Sequence, residues 1–173
     1  DVGTYNTLIN ACAVEGDVDR ALEAVELMQR DGVTPDAITY TSLLKACAFH
    51  QGECMVDVAE GIFGEMVQRT NHFSTYIAPT ERTYQRLMQV YLHSNPSRTD
   101  KIWHLVEVMR KQGIEPSNFT WRVCARAAAK DKDVQRGIEV IERIRAGPGT
   151  GVPDPGPVDP GPGGPGSFVP LGR

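Results

Sequence analysis

The sequence predicts an all-α protein, an α-solenoid of stacked helix-turn-helix repeats followed by a Gly/Pro-rich irregular C-terminal tail. Three observations predict it. A Thr-aromatic opener recurs as TYNTLINAC at Thr4, TYTSLLKAC at Thr39, TYQRLMQVY at Thr83 and, more faintly, TWRVCARAA at Thr120. A second stripe of apolar residues at helical spacing follows each opener. After Ala146 the composition breaks, with 17 of the 27 residues from Gly147 to Arg173 being Gly or Pro.

Each opener begins an amphipathic helix. The stripes are Tyr5, Leu8, Ile9, Cys12, then Tyr40, Leu43, Leu44, Cys47, then Tyr84, Leu87, Met88, Tyr91. The second helix of each pair carries Val18, Ala21, Leu22, Val25, Met28, then Val56, Ala59, Phe63, Met66, then Ile102, Trp103, Val106, Met109, then Val134, Ile138, Ile141, Ile144. Gly32-Pro35, Pro79 and Gly113-Pro116 close the units, because a helix that stops at glycine cannot resume across proline. The units are therefore 2–36, 37–80, 81–117 and a partial 118–146, and the extra residues of the longer ones are expected in loops, at His50–Cys54, Arg69–Ile77 and His93–Asp100. Each hairpin has an apolar face it cannot cover alone, so neighbours stack.

Residues 147–173 form a tail without regular secondary structure, since proline lacks the amide donor and glycine loses most entropy on ordering. Its apolar end, Phe168, Val169 and Leu171, is either an incidental hydrophobic terminus or a segment that docks on a partner.

Several function classes fall away. No stretch approaches the roughly 18–20 apolar residues of a membrane span, so no membrane insertion is expected. The start has neither signal-peptide nor transit-peptide composition, and any targeting segment lies outside this sequence. Cys12, Cys47, Cys54 and Cys124 include no CxxC pair, and His50, His72, His93 and His104 show no HxxxH spacing. Cys12 and Cys47 occupy the same place in successive repeats and are expected in the core. No catalytic set, metal site or cofactor motif is present, and the chain is not expected to be an enzyme.

Charge is uneven along the chain. Residues 1–80 hold 4 basic and 12 acidic side chains, whereas residues 81–146 hold 13 and 8. Arg122, Arg126 and Lys130 lie four apart on one helix face, as do Arg82 and Arg86 one repeat earlier. This pattern fits phosphate contact, and it equally fits a solvated basic face or pairing with an acidic partner.

The openers, the AL and ELM of the first unit and its closing GVTPD resemble the pentatricopeptide repeat (PPR) family over about Val2 to Ala146. The tetratricopeptide repeat, similar in length, wants an early Trp and a Leu-Gly that are not in register here. The resemblance implies an organellar protein, chloroplast or mitochondrial, that binds single-stranded RNA in RNA processing, stabilisation, transcription or translation, with first helices lining the groove. It also implies that the residue after the opening aromatic and the last residue of the motif read one base. Those pairs are Asn6 with Asp36, which resembles the family's uracil-preferring pair and also suits a helix-start polar residue and a turn Asp before the next helix, and Thr41 with Thr80 and Gln85 with Ser117, which depart from the family's pattern. The base-bracketing positions are Gly3, Ile38, Arg82 and Phe119, of which Ile38 and Phe119 suit the task. Because the chain starts at the first residue of a repeat, a longer array is expected. The alternative is a repeat scaffold that holds protein subunits of a large organellar complex together, with little RNA specificity.

Overall fold

The computed structural model describes residues 1–51, 55–73 and 77–147. Among them are eight α-helices and no strand: α1 (Val2–Glu15), α2 (Val18–Arg30), α3 (Ala37–Phe49), α4 (Val56–Phe73), α5 (Glu81–His93), α6 (Thr99–Lys111), α7 (Asn118–Asp131) and α8 (Val134–Ala146). They form four hairpins. The first helices stack as one layer, α1 on α3, α3 on α5 and α5 on α7, while α2, α4 and α6 each also pack on the first helix of the next hairpin. The fold is thus a two-layer solenoid.

Local chemistry sets the helix starts and stops. Asp1, Asp17 and Asp133 each accept a hydrogen bond from a backbone amide in the first turn of the helix they precede (Thr4, Arg20 and Arg136), at 2.8, 3.0 and 3.0 Å. Asp36 and Thr39 make a reciprocal capping box at the start of α3. Gly16 ends α1 at φ 71°, and its place is crowded as well as left-handed: a Cβ there would lie 2.5 Å from the Phe49 carbonyl oxygen. Lys132 takes the equivalent left-handed position after α7, at φ 58°.

The core is continuous through the stack. Ile9, Leu44, Leu87, Met88 and Cys124 of the first helices are fully buried with Met28, Met66, Ile102 and Met109 of the second. Each opening tyrosine also ties its hydroxyl to the second helix of its own hairpin: Tyr5 to Asp31 and Tyr84 to Gln112 (2.6 Å) just past the helix end, and Tyr40 to Glu65 (2.9 Å) within α4. Trp121 has no hydroxyl and sits instead between the guanidinium groups of Arg110 and Arg143, at 5.5 and 5.1 Å.

The structure departs from the sequence expectations at the edges of the stack. Leu8 is 50% exposed and Val134 is 72% exposed, with Ile138 and Ile141 also open, because no described helix covers those sides of α1 and α8. Cys12 is only half-buried, whereas Cys47 and Cys124 are core residues. The extra residues after Arg69 do not all form a loop. With no glycine to stop it, α4 continues to Phe73 and is 18 residues long against 13 for α2.

Candidate nucleic-acid interface

Three buried threonines organise the junctions between hairpins. Thr39, Thr83 and Thr120, all 0% exposed, sit three residues after Asp36, Thr80 and Ser117. Their hydroxyls bring each expected reading pair together.

At the first junction the Asn6 amide donates to Asp36 Oδ1 at 3.1 Å, while Thr39 donates to Asn6 Oδ1 at 2.6 Å. The same Asp36 oxygen accepts the Thr39 amide at 2.9 Å. Among the described residues one Asn6 N–H and the second carboxylate oxygen, Oδ2, have no hydrogen-bond partner. At the second junction only hydroxyls meet: Thr41 lies 3.0 Å from Thr83, which lies 3.2 Å from Thr80. Thr41 also donates back to the Ala37 carbonyl at 2.7 Å.

The third junction is rebuilt. Ser117 stands where the first has Asp36, and the carboxylate comes instead from Glu81 at the start of α5. Glu81 Oε1 accepts the Ser117 amide at 2.8 Å, the Thr120 hydroxyl at 2.7 Å and the Gln85 amide at 2.9 Å. Burial raises the Glu81 pKa, but the hydrogen bonds from Ser117, Thr120 and Gln85 outweigh it and hold the group below the usual carboxylate range. Both Gln85 N–H groups are taken, by Glu81, Thr120 and Ser117, and the carboxylate fixes the amide orientation because only N–H can face it.

Cations gather beside these junctions. Lys45, Arg82 and Arg86 surround one cavity of about 490 Å³ that also touches Asn6, Ile38 and Thr41. Burial, then the neighbouring Arg86 and Arg82, lower the Lys45 pKa, and burial with Arg82 lowers that of Arg86. Among the described residues none of the three has a carboxylate partner: Lys45 donates to Asn10 at 2.9 Å and Arg86 to Gln89 at 2.9 Å. Arg86 also lies 5.6 Å from the Phe49 ring centroid. Arg122 and Arg126 are exposed on α7 and have no side-chain hydrogen bond or ion pair among the described residues. Lys130 differs from its helix neighbours, since it donates to the Leu92 carbonyl and to Ser97 Oγ at 2.8 Å and so braces the preceding hinge.

The bracketing positions are open to solvent. Ile38 is 61% exposed and Phe119 45% exposed, each next to a cavity, whereas Gly3 offers no side chain. Arg82 borders both cavities.

Sequence reasoning missed Lys45, Glu81 and the three junction threonines. The available signal was register: Thr39, Thr83 and Thr120 open every motif, and Lys45 shares the helix face of Ile38 and Thr41. Phe168, Val169 and Leu171 lie outside the described residues. Among the described residues no group of three or more His, Cys, Asp or Glu could hold a metal, and no helix is long and apolar enough to cross a membrane. Burial pushes the Cys47 thiol up to about 11 and the Cys124 thiol up to about 12, as befits packing residues.

A profile of the PPR repeat family matches residues 1–48. Pentatricopeptide repeat-containing proteins of Arabidopsis thaliana match most of the chain: one is 34% identical over 144 residues, covering 83% of this chain and 19% of the relative. The chain belongs to the pentatricopeptide repeat family. A second Arabidopsis thaliana pentatricopeptide protein is 27% identical over 144 residues, covering 83% of this chain and 21% of its own length. The chain thus spans about a fifth of the length of these relatives. The pentatricopeptide solenoid also superposes on the PPR domain of Arabidopsis thaliana protein-only RNase P 1, solved in complex with tRNA, with a TM-score of 0.66 at 19% identity over 82% of this chain and 69% of that one.

Proposed function

We propose that this pentatricopeptide chain binds single-stranded RNA along the layer formed by α1, α3, α5 and α7. The observation that carries the proposal is the cluster of Lys45, Arg82 and Arg86, three cations that line one junction cavity and have no carboxylate partner among the described residues. Mutual repulsion makes such a cluster unfavourable until an anion arrives, and a phosphate backbone supplies one at each nucleotide. Arg122 and Arg126 extend the track, and Lys130 is left out of it. Ile38, Arg82 and Phe119 bracket bases between them. At the first junction the free Asn6 N–H and the free Asp36 oxygen complement the acceptor and donor of a uracil edge. The RNase P domain of like fold, solved with tRNA, supports the same ligand class. The organellar setting that the family resemblance implies belongs to the same proposal.

The test is single-strand binding by the triple variant Lys45→Ala, Arg82→Ala, Arg86→Ala, with Lys111→Ala on the second-helix layer as control. The triple variant loses affinity by at least tenfold while the control binds as wild type. Equal binding by both contradicts the proposal.

A protein-contact reading is favoured by one separate observation, the exposed apolar row Val134, Ile138 and Ile141 on α8. Such a row suits another helical hairpin or a protein subunit. Ile138→Lys with Ile141→Lys abolishes that association and leaves RNA affinity unchanged; an intact association removes this reading.

A further inference from the structure

The third junction differs from the first in what it leaves unpaired, and the difference has a chemical sign. At Asn6 and Asp36 one donor and one acceptor stay free. At the third junction the Gln85 amide nitrogen is shared among Glu81, Thr120 and Ser117, and among the described residues Glu81 Oε2 and Gln85 Oε1 have no hydrogen-bond partner. Both residues wall an open cavity of about 450 Å³, together with Arg82, Arg86, Ser117 and the half-exposed Phe119 ring. Such a cavity holds one base.

We propose that this cavity selects guanine, and that Glu81, outside the expected reading pairs, is the residue that sets the selection. Two acceptors on residues that line one cavity, one of them a carboxylate, are best met by a base edge with two donors, and among the four bases only guanine carries a ring N–H beside an exocyclic amino group on its pairing edge. Adenine and cytosine offer one exocyclic amine next to a ring acceptor. Uracil sets its single N–H between two carbonyls, which would face the carboxylate repulsively. The remaining guanine carbonyl is complemented by the guanidinium groups of Arg82 and Arg86, and Phe119 supplies a stacking face. The assignment rests on the RNA reading and adds a base identity at a position where the Gln85 and Ser117 pair alone specifies none.

The experiment uses the full chain and fluorescent uridine-rich single strands in which G, A or C is stepped through each position. One position is expected to favour guanine by about tenfold, the discrimination of a bidentate contact. Glu81→Gln reduces that advantage to below threefold, whereas Lys111→Ala on the second-helix layer leaves it at about tenfold. Phe119→Ala weakens binding whichever base occupies the position. Guanine preference absent from every position, or undiminished in Glu81→Gln, overturns the assignment alone. Failure of every strand to bind overturns the RNA reading and the assignment with it.

Discussion

Asn6 and Asp36, thirty residues apart, meet at 3.1 Å across the boundary between the first two hairpins. Asp36 serves two ends at once. It caps α3 through the Thr39 amide and holds the Asn6 amide, so the order of the reading pair is secured by the fold itself. Replacing Asp36 by Asn keeps a good cap but removes the free carboxylate oxygen. Uracil preference at that position is therefore expected to fall with little change in thermal stability, whereas Asp36→Ala costs about 1 kcal/mol in addition. Strand binding and a thermal melt on the two variants separate these effects.

Glu81 predicts a pH dependence. Its folded pKa lies below the unfolded value, so its contribution is fully present above the usual carboxylate range and is lost as pH falls through the lowered folded value. The stability gap between wild type and Glu81→Gln should hold at neutral pH and close under acid. Denaturant melts at stepped pH measure it, and a gap that widens on acidification contradicts the hydrogen-bonded carboxylate.

The cation cluster predicts that anions stabilise the fold. Lys45 and Arg86 are pushed toward losing their protons by burial and by neighbouring arginines, and a bound polyanion relieves that. Oligouridylate is expected to raise the melting temperature of the wild type at constant ionic strength and to raise that of the Lys45→Ala, Arg86→Ala variant less.

Gly16 and Gly32 share left-handed backbones, at φ 71° and 72°, but only Gly16 abuts the Phe49 carbonyl. Gly32→Ala should cost about 1–2 kcal/mol, the left-handed penalty alone. Gly16→Ala should cost more, because the next hairpin must move. Equal costs would mean that the two hairpins do not meet there.

The hairpins were legible in the sequence because apolar period and punctuation agree in the first and third units, Tyr5 with Gly32 and Tyr84 with Gly113. The edges were not. Leu8 and Ile138 sit on stripes that read as core, and whether a stripe is covered depends on a neighbour rather than on the stripe itself. The reading pairs could be placed by motif register, yet what they leave unpaired could not. Glu81 opens α5 as an ordinary first-turn acid, and only the fold brings it against Ser117 and Thr120 thirty-six and thirty-nine residues on. The half-to-half charge imbalance was visible too. Its resolution into a first-helix face carrying Lys45, Arg82, Arg86, Arg122 and Arg126 required the stacking.

The most direct measurement is the salt dependence of single-stranded RNA binding by wild type and by Arg122→Ala with Arg126→Ala. Five cations on the first-helix face predict a slope of log affinity against log salt of roughly −3.5, and the double variant should lose about 1.4 of it, near 0.7 per phosphate contact. An affinity indifferent to salt, or the same slope in both proteins, would contradict RNA binding by this face.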